Sequence, residues 1–389
     1  MRTSVFAVFY LLISGLGLLQ TSIAQNQIYF PPANNAQWEK RSPAELGLSD
    51  RHLQSAVSFA IEQESDRPRD QALSSALGFA REPYNQLLGP TTVRGEPTGI
   101  ILRHGYIAAI WGEPYKVDMT HSITKSFLSS VAGLAYDRQL IHDLDTPVYQ
   151  DVASEHFQSE HNQTITWDHL LRQTSAWEGT LWDKPDWADR PVGDDAFSWP
   201  ERDVPKAGTT WKYNDVRVNV LALALLETWR QPLPSVLKQH LMDPIGASNT
   251  WRWHGYENSW VMIDGQKMQS VSGGGHWGGG MFINAFDQAR FGYLTLNRGK
   301  WAGKQVFSEK WYQLATTPTP IQKTYGFMNW FLNTDKELLA SAPENTITHL
   351  GAGTNMVYVD PENDLVIVAR WLKREAMNEL VERVIKSIQ

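Results

Sequence analysis

Apolar, β-rich runs lie near both ends of the chain and helix-like spacing fills the middle, an arrangement that narrows the possible folds more than any single motif. Residues 99–102 and 106–111 flank His104-Gly105 and read as a hairpin, and residues 355–359 and 365–371 are joined by the turn 360–364. Residues 325–332 have a similar texture. Between them, Ile123, Phe127, Val131 and Leu134 recur at helical spacing from about residue 120, Thr166 caps a short helix to residue 171, and residues 214–229 bury Val218, Leu221, Ala222 and Leu225. Further helices are expected over 284–296, 308–315 and 374–388, and one capped by Ser49 with Leu53, Val57, Ala60 and Ile61 on its inner face. Residues 64–94 read as irregular. The expected class is α+β: an antiparallel sheet drawn from both termini and flanked by helices, with an inserted all-helical subdomain. An α/β lobe would comprise residues 25–117 and 283–389, a helical lobe residues 118–282, and the cleft between them is the natural ligand site.

The first 24 residues have a different purpose. Arg2, the apolar stretch 5–19 and the small residues of Ser22-Ile23-Ala24 form the pattern of a signal peptide, so the mature chain is expected to begin at Gln25 and to be exported, periplasmic or extracellular. The stretch is shorter than the roughly 20 residues of a membrane span, and no span is expected after processing. An uncleaved anchor is the alternative, distinguished by the mass of the exported protein. With 35 basic and 42 acidic residues the formal charge is -7, which argues against nucleic acid or an anionic membrane as partner. The absence of cysteine excludes disulfides, thiolate zinc sites, iron–sulfur clusters and thiol catalysis. His156 and His161 lack metal-ligand spacing, so no metal is expected. Asn162-Gln163-Thr164 matches a glycosylation acceptor.

Ser122-Ile123-Thr124-Lys125 opens the first central helix. Three residues apart, the two side chains share a face, so the amine can activate the hydroxyl while the helix N-terminus offers backbone N–H groups to an oxyanion. Ser235 and Lys238 repeat the pattern, and two ordered triples arise: Ser122, Tyr213 and His349, or Ser235, Tyr256 and His276. The first draws on three distant segments that can converge at the lobe boundary; the second is confined to turn-rich sequence with no evident rigid scaffold, which favours the first. The glycines of 273–280 lack the Gly-Lys-Ser/Thr ending of a phosphate loop and read as tight backbone packing. Eleven of the 17 tryptophans fall between Trp167 and Trp277; Trp182 and Trp187, in the long loop 177–199, are the ligand-facing candidates.

Ser122-x-x-Lys125, the run Ala207–Asp215 that contains Tyr213-Asn214-Asp215, residues 165–175 and His349-Leu350-Gly351-Ala352-Gly353 together resemble the serine β-lactamase and penicillin-binding-protein superfamily, most closely its class C branch of β-lactamases, D-amino-acid peptidases, esterases and 6-aminohexanoate-dimer hydrolases. The likeness extends over nearly all of the mature chain. It implies Ser122 as acylated nucleophile, Lys125 as base, Tyr213 as proton shuttle, and the backbone N–H groups of Ser122 and Ala352 as oxyanion hole. His349, where many relatives have Lys-Thr-Gly, would line the substrate together with Gly351 and Asp215. Lys323-Thr324-Tyr325-Gly326 is a near miss to that motif and reads as a strand start. Asp215 stands where the family usually has Asn; a carboxylate beside Lys125 would favour the ammonium and move activity toward alkaline pH and away from penicillin-like substrates. The implied protein is an exported, cofactor-free serine hydrolase of small esters, amides or peptide-like molecules. β-Lactam or D-peptide hydrolysis is the alternative, and a non-catalytic sensor of cell-wall fragments or β-lactams the second.

Overall fold

The computed structural model describes residues 28–193 and 197–389, so the expected signal segment lies outside the described residues. In chain order, α1 (Asp50–Glu62) and α2 (Gln71–Gly78) precede the hairpin β1 (Thr98–Arg103) and β2 (Tyr106–Trp111). A short strand β3 (Asp118–Met119) leads into α3 (Ile123–Asp137), followed by α4 (Trp167–Leu171), the two-residue strands β4 (Thr180–Leu181) and β5 (Lys184–Pro185), α5 (Asp215–Trp229) and α6 (Leu233–Leu237). Then come β6 (Arg252–Ile263), β7 (Gln266–Val271), β8 (Gly280–Ile283) and α7 (Ala285–Leu296). The chain ends with β9 (Lys300–Trp301), β10 (Lys304–Gln305), α8 (Glu309–Ala315), β11 (Ile347–Gly351), β12 (Asn355–Asp360), β13 (Leu365–Arg370) and α9 (Met377–Ile385).

The main sheet has five antiparallel strands in the order β11-β12-β13-β1-β2, so the first hairpin joins the last strands at Ile101↔Ile367. Alternation divides its side chains. Ile100, Leu102, Val357 and Val368 enter the core shared with α3 and α7, whereas Ile101, Tyr358 and Ile367 enter the core shared with α1 and α9. Helix starts follow their caps: Asp70 for α2, Thr166 for α4, Asn214 for α5, Asn284 for α7 and Ser308 for α8 all accept backbone N–H bonds. Helix α5 is buried almost all round, from Asp215 to Leu226, which marks it as the centre of its lobe rather than an amphipathic surface helix.

Three expectations change. Residues 64–94 contain α2, begun by the Asp70 cap. The middle stretch is not all-helical: β3, β8, β6 and β7 form a four-stranded sheet, and the twelve-residue β6 lies in Trp- and polar-rich sequence without clean alternation. Residues 325–332 form no strand; only isolated bridges occur, such as Trp330↔Thr348. Ile61 is 49% exposed because α1 turns Leu53, Ala56 and Ala60 inward. Asn162 is buried, its amide donating to the carbonyls of His156 and Glu178, which makes it a poor glycan acceptor. No helix among the described residues is long and apolar enough to cross a membrane.

One closure shapes the ligand cleft. Ser65 N–H donates to the Trp371 carbonyl at 2.7 Å and Lys373 N–H to that of Gln63 at 2.9 Å, binding the segment after α1 to the segment after β13. A cleft of about 830 Å³ opens beside this seam, walled by Ser122, Arg190, Tyr213, Trp330 and residues 350–354.

Candidate active site

Ser122 is the N-cap of α3 and follows His121, whose φ of 48° is a left-handed conformation unusual for a side chain of this size. The backbone turns sharply out of β3 there, presenting Ser122 to the cleft while α3 runs back into the core. Lys125, one turn on, is 1% exposed, and its Nζ lies 3.0 Å from Ser122 Oγ. Helix α5 supplies the next group: Asp215, its first residue, sets Oδ1 2.7 Å from Lys125 Nζ. Tyr213 precedes the helix, its ring centroid 4.7 Å from Lys125 Nζ and 5.0 Å from the Arg190 guanidinium carbon, and its ring packs against Trp330 and Tyr325. Ser122, Lys125 and Tyr213 thus converge at the cleft from separate segments.

Strand β11 closes the opposite side. A Cβ at Gly351 would lie 2.2 Å from the Thr120 carbonyl oxygen and 3.2 Å from the Ser122 nitrogen, so only glycine lets the strand approach the nucleophile this closely. Ala352 follows on the cleft wall. This places the two segments whose backbone N–H groups the resemblance assigns to the oxyanion hole side by side.

Asp215 belongs behind the nucleophile rather than against substrate, which corrects its expected place. It is 1% exposed, and its second oxygen accepts from Arg190 at 2.9 Å. Burial alone would raise its pKa; the charges of Lys125, Arg190 and His276 outweigh that and hold the carboxyl far below the ordinary aspartate value. Burial likewise works to lower the pKa of Lys125, yet the Asp215 charge wins and the amine is raised. The resting pair is therefore ammonium and carboxylate, the effect expected of an acid at this position.

His349 is also corrected. Successive residues of β11 face opposite ways, so Leu350 lines the cleft while His349 points toward α7. There Nδ1 contacts Asn329 Oδ1 at 2.8 Å, Nε2 lies 3.2 Å from Thr295 Oγ1, and burial pushes its pKa down to about 3. Its ring is a neutral packing element. Trp182 and Trp187 do not line the cleft either. Trp182 sits in the tight turn between β4 and β5 against the core, and Trp187 meets Tyr84 edge-on at 5.7 Å. The indole on the cleft wall is that of Trp330, with Leu332, Leu338 and Leu350 nearby.

The second triple does not assemble. Ser235 lies on α6, and Tyr256 Oη is buried against Asn219 and Ser272. His276, however, reaches the first site, together with Arg190, Asp189 and Glu82. Arg190 donates to Asp189 Oδ1 at 2.6 Å, and Asp189 Oδ2 accepts the backbone N–H of Asp215. These residues come from three loops with no shared spacing, and only the carboxylate in Asp215 hinted that compensating cations must lie nearby. Glu82, Asp189 and His276 are the sole metal-capable cluster among the described residues, with ligand atoms within 4.8 Å of one another. Glu82 already engages His276 and Asp189 engages Arg190, so the group is satisfied as an ion network. Gly274 lies directly against it: a Cβ there would fall 1.8 Å from Asp215 Oδ1 and 2.1 Å from Lys125 Nζ. The glycine run is thus the backbone wall behind the ion pair, consistent with close packing.

The β-lactamase family model matches residues 119–379. No curated protein sequence matches. Among solved structures, the chain is similar to EstCE1, a hydrolase with promiscuous acyltransferase activity (TM-score 0.57, 15% identity, covering 87% of this chain and 99% of that one). It is also similar to a D-stereospecific amidohydrolase from Streptomyces sp. (TM-score 0.52, 14% identity, 75% and 93% covered). A 6-aminohexanoate-dimer hydrolase from Bacillus anthracis, so described provisionally, matches with TM-score 0.50 and 14% identity, 92% and 97% covered. At these identities the structural likenesses show the fold alone.

Proposed function

Because the chain belongs to the β-lactamase family, we propose that it is a serine hydrolase that cleaves a small ester or amide through an acyl-enzyme on Ser122. The observation that carries this reading is the 3.0 Å contact between Lys125 Nζ and Ser122 Oγ at the wall of the cleft, beside the Tyr213 ring. In the reaction, the Ser122 hydroxyl loses its proton to the free amine of Lys125 as its oxygen bonds to the substrate carbonyl carbon. The tetrahedral oxyanion rests against backbone N–H groups at the start of α3 and at Ala352. Tyr213 passes a proton to the leaving alcohol or amine, the carbon–heteroatom bond breaks, and water releases the acid by the reverse sequence.

A small ester or amide is favoured over a β-lactam because Asp215 holds Lys125 as ammonium and because β11 turns His349 away, leaving Leu350, Trp330 and Leu338 on the wall. Export to the periplasm or medium is part of the proposal and rests on the leader-like residues 1–24. Turnover of p-nitrophenyl butyrate and of nitrocefin by wild type and Ser122→Ala tests the reading. Ester cleavage abolished by the substitution, with nitrocefin slow or inert, is expected. Ester turnover that survives in Ser122→Ala overturns it, and saturable ligand binding without turnover across an ester, amide and β-lactam panel would favour a sensor.

A further inference from the structure

His276 is buried between the Phe79 ring at 3.8 Å and the Trp277 ring at 4.4 Å. Its Nε2 lies 2.6 Å from Glu82 Oε2 and 3.8 Å from Asp189 Oδ1; its Nδ1 lies 3.7 Å from Asp215 Oδ2 and has no hydrogen-bond partner among the described residues. An ionised carboxylate only accepts, so the short contact to Glu82 places a hydrogen on Nε2. A neutral ring would then place its Nδ1 lone pair 3.7 Å from the Asp215 carboxylate. A second proton converts that repulsion into attraction. Three carboxylates, those of Glu82, Asp189 and Asp215, therefore lie within 3.8 Å of its ring nitrogens.

We propose that His276 is a positioning residue of the reaction, held as imidazolium by Glu82 and Asp189, and that its charge draws on Asp215 and loosens that carboxylate's hold on the Lys125 ammonium. The proposal rests on Lys125 being the base for Ser122. Asp215 is shared among three cations: Lys125 on one oxygen, Arg190 and His276 on the other. Removing the imidazolium gives more of the carboxylate to Lys125, so the free amine forms only at higher pH. Glu82 acts one step further out, and it also accepts the backbone N–H of Arg190 at 3.2 Å, which ties the loop bearing the second cation to the same carboxylate.

The test is the pH dependence, from pH 5 to 10, of Ser122 labelling by a fluorophosphonate and of kcat/KM for p-nitrophenyl butyrate. Full-length wild type, His276→Gln, Glu82→Gln, Asp215→Asn and the Asp215→Asn/His276→Gln double variant are compared. The acid limb is expected to move up by about one pH unit in His276→Gln, a tenfold change in free Lys125 at a given pH. Glu82→Gln should shift it in the same direction, and the His276→Gln shift should vanish when Asp215 is already Asn. A limb that stays in place in both single variants, or a shift that survives without the carboxylate, overturns the proposal. Should His276→Gln fail to fold, the Glu82→Gln limb decides. Labelling of a residue other than Ser122 would instead remove the hydrolase reading on which the proposal stands.

Discussion

The Asp215 carboxylate has two effects at the scale of single residues, one on rate and one on stability. Its charge opposes the neutral Lys125 that attack requires, yet it compensates the buried Lys125 and the half-buried Arg190. Asp215→Asn should therefore destabilise the protein by about 3–5 kcal/mol at neutral pH, because the buried Lys125 is left with an amide in place of its counter-charge, while Arg190 keeps Asp189. The pH dependence has a definite sign. The native carboxyl sits far below its unfolded value of about 4, so its contribution is fully present above that pH and declines as pH falls below it. Urea unfolding of wild type and variant should show a gap that is constant above about pH 5 and narrows toward pH 2. Tyr213 is expected to act on chemistry rather than on folding: Tyr213→Phe should lower kcat/KM for an ester about 10²- to 10⁴-fold, while its Tm stays within a few degrees of wild type by thermal denaturation.

Elements explain what was legible in the sequence and what was not. Ser122 and Lys125 sit three residues apart on one helix, and Tyr213 just before a capped one, so local spacing was enough to find them. His349 needed the parity of a strand: one step along β11 exchanges cleft for core, and the motif position alone carries no parity. Trp182 and Trp187 were misplaced because an aromatic-rich loop reads the same whether its rings face a ligand or the protein's own core. Arg190, His276 and Glu82 have no periodic signature and meet only through tertiary structure. The hairpin β6–β7 was missed because its strands are polar and broken by a bulge between Gly255 and Trp260. The glycine loop before β8 gives a prediction at this scale. Gly274→Ala forces a methyl into the space held by Asp215 and Lys125, so ester turnover should fall at least about tenfold. A fluorophosphonate labelling assay run alongside circular dichroism would check this; wild-type labelling would contradict the placement.

For the whole molecule, acid tolerance is set by imidazoles that never reach the cleft. His121, bonded to Gln71, and His349 are buried neutral, each pushed down to about 3, His121 by burial aided by Arg67, Arg370 and Lys125, and His349 by burial alone. Unfolded histidine binds a proton below about pH 6.5, whereas these do not until about pH 3. Stability should therefore fall as pH drops through that window, by about 1.4 kcal/mol per pH unit for each ring. Denaturant midpoints should begin to decline near pH 6.5, and His349→Gln should reduce the slope even if it lowers the plateau. The main sheet carries another consequence. Thr98 lies opposite Arg370, and β1 has no inner neighbour but β13, so a growing polypeptide leaves the ribosome with the inner edge of its first hairpin unpaired until synthesis is almost finished. Stop codons near the 3′ end of the message should consequently yield insoluble product rather than a shortened enzyme.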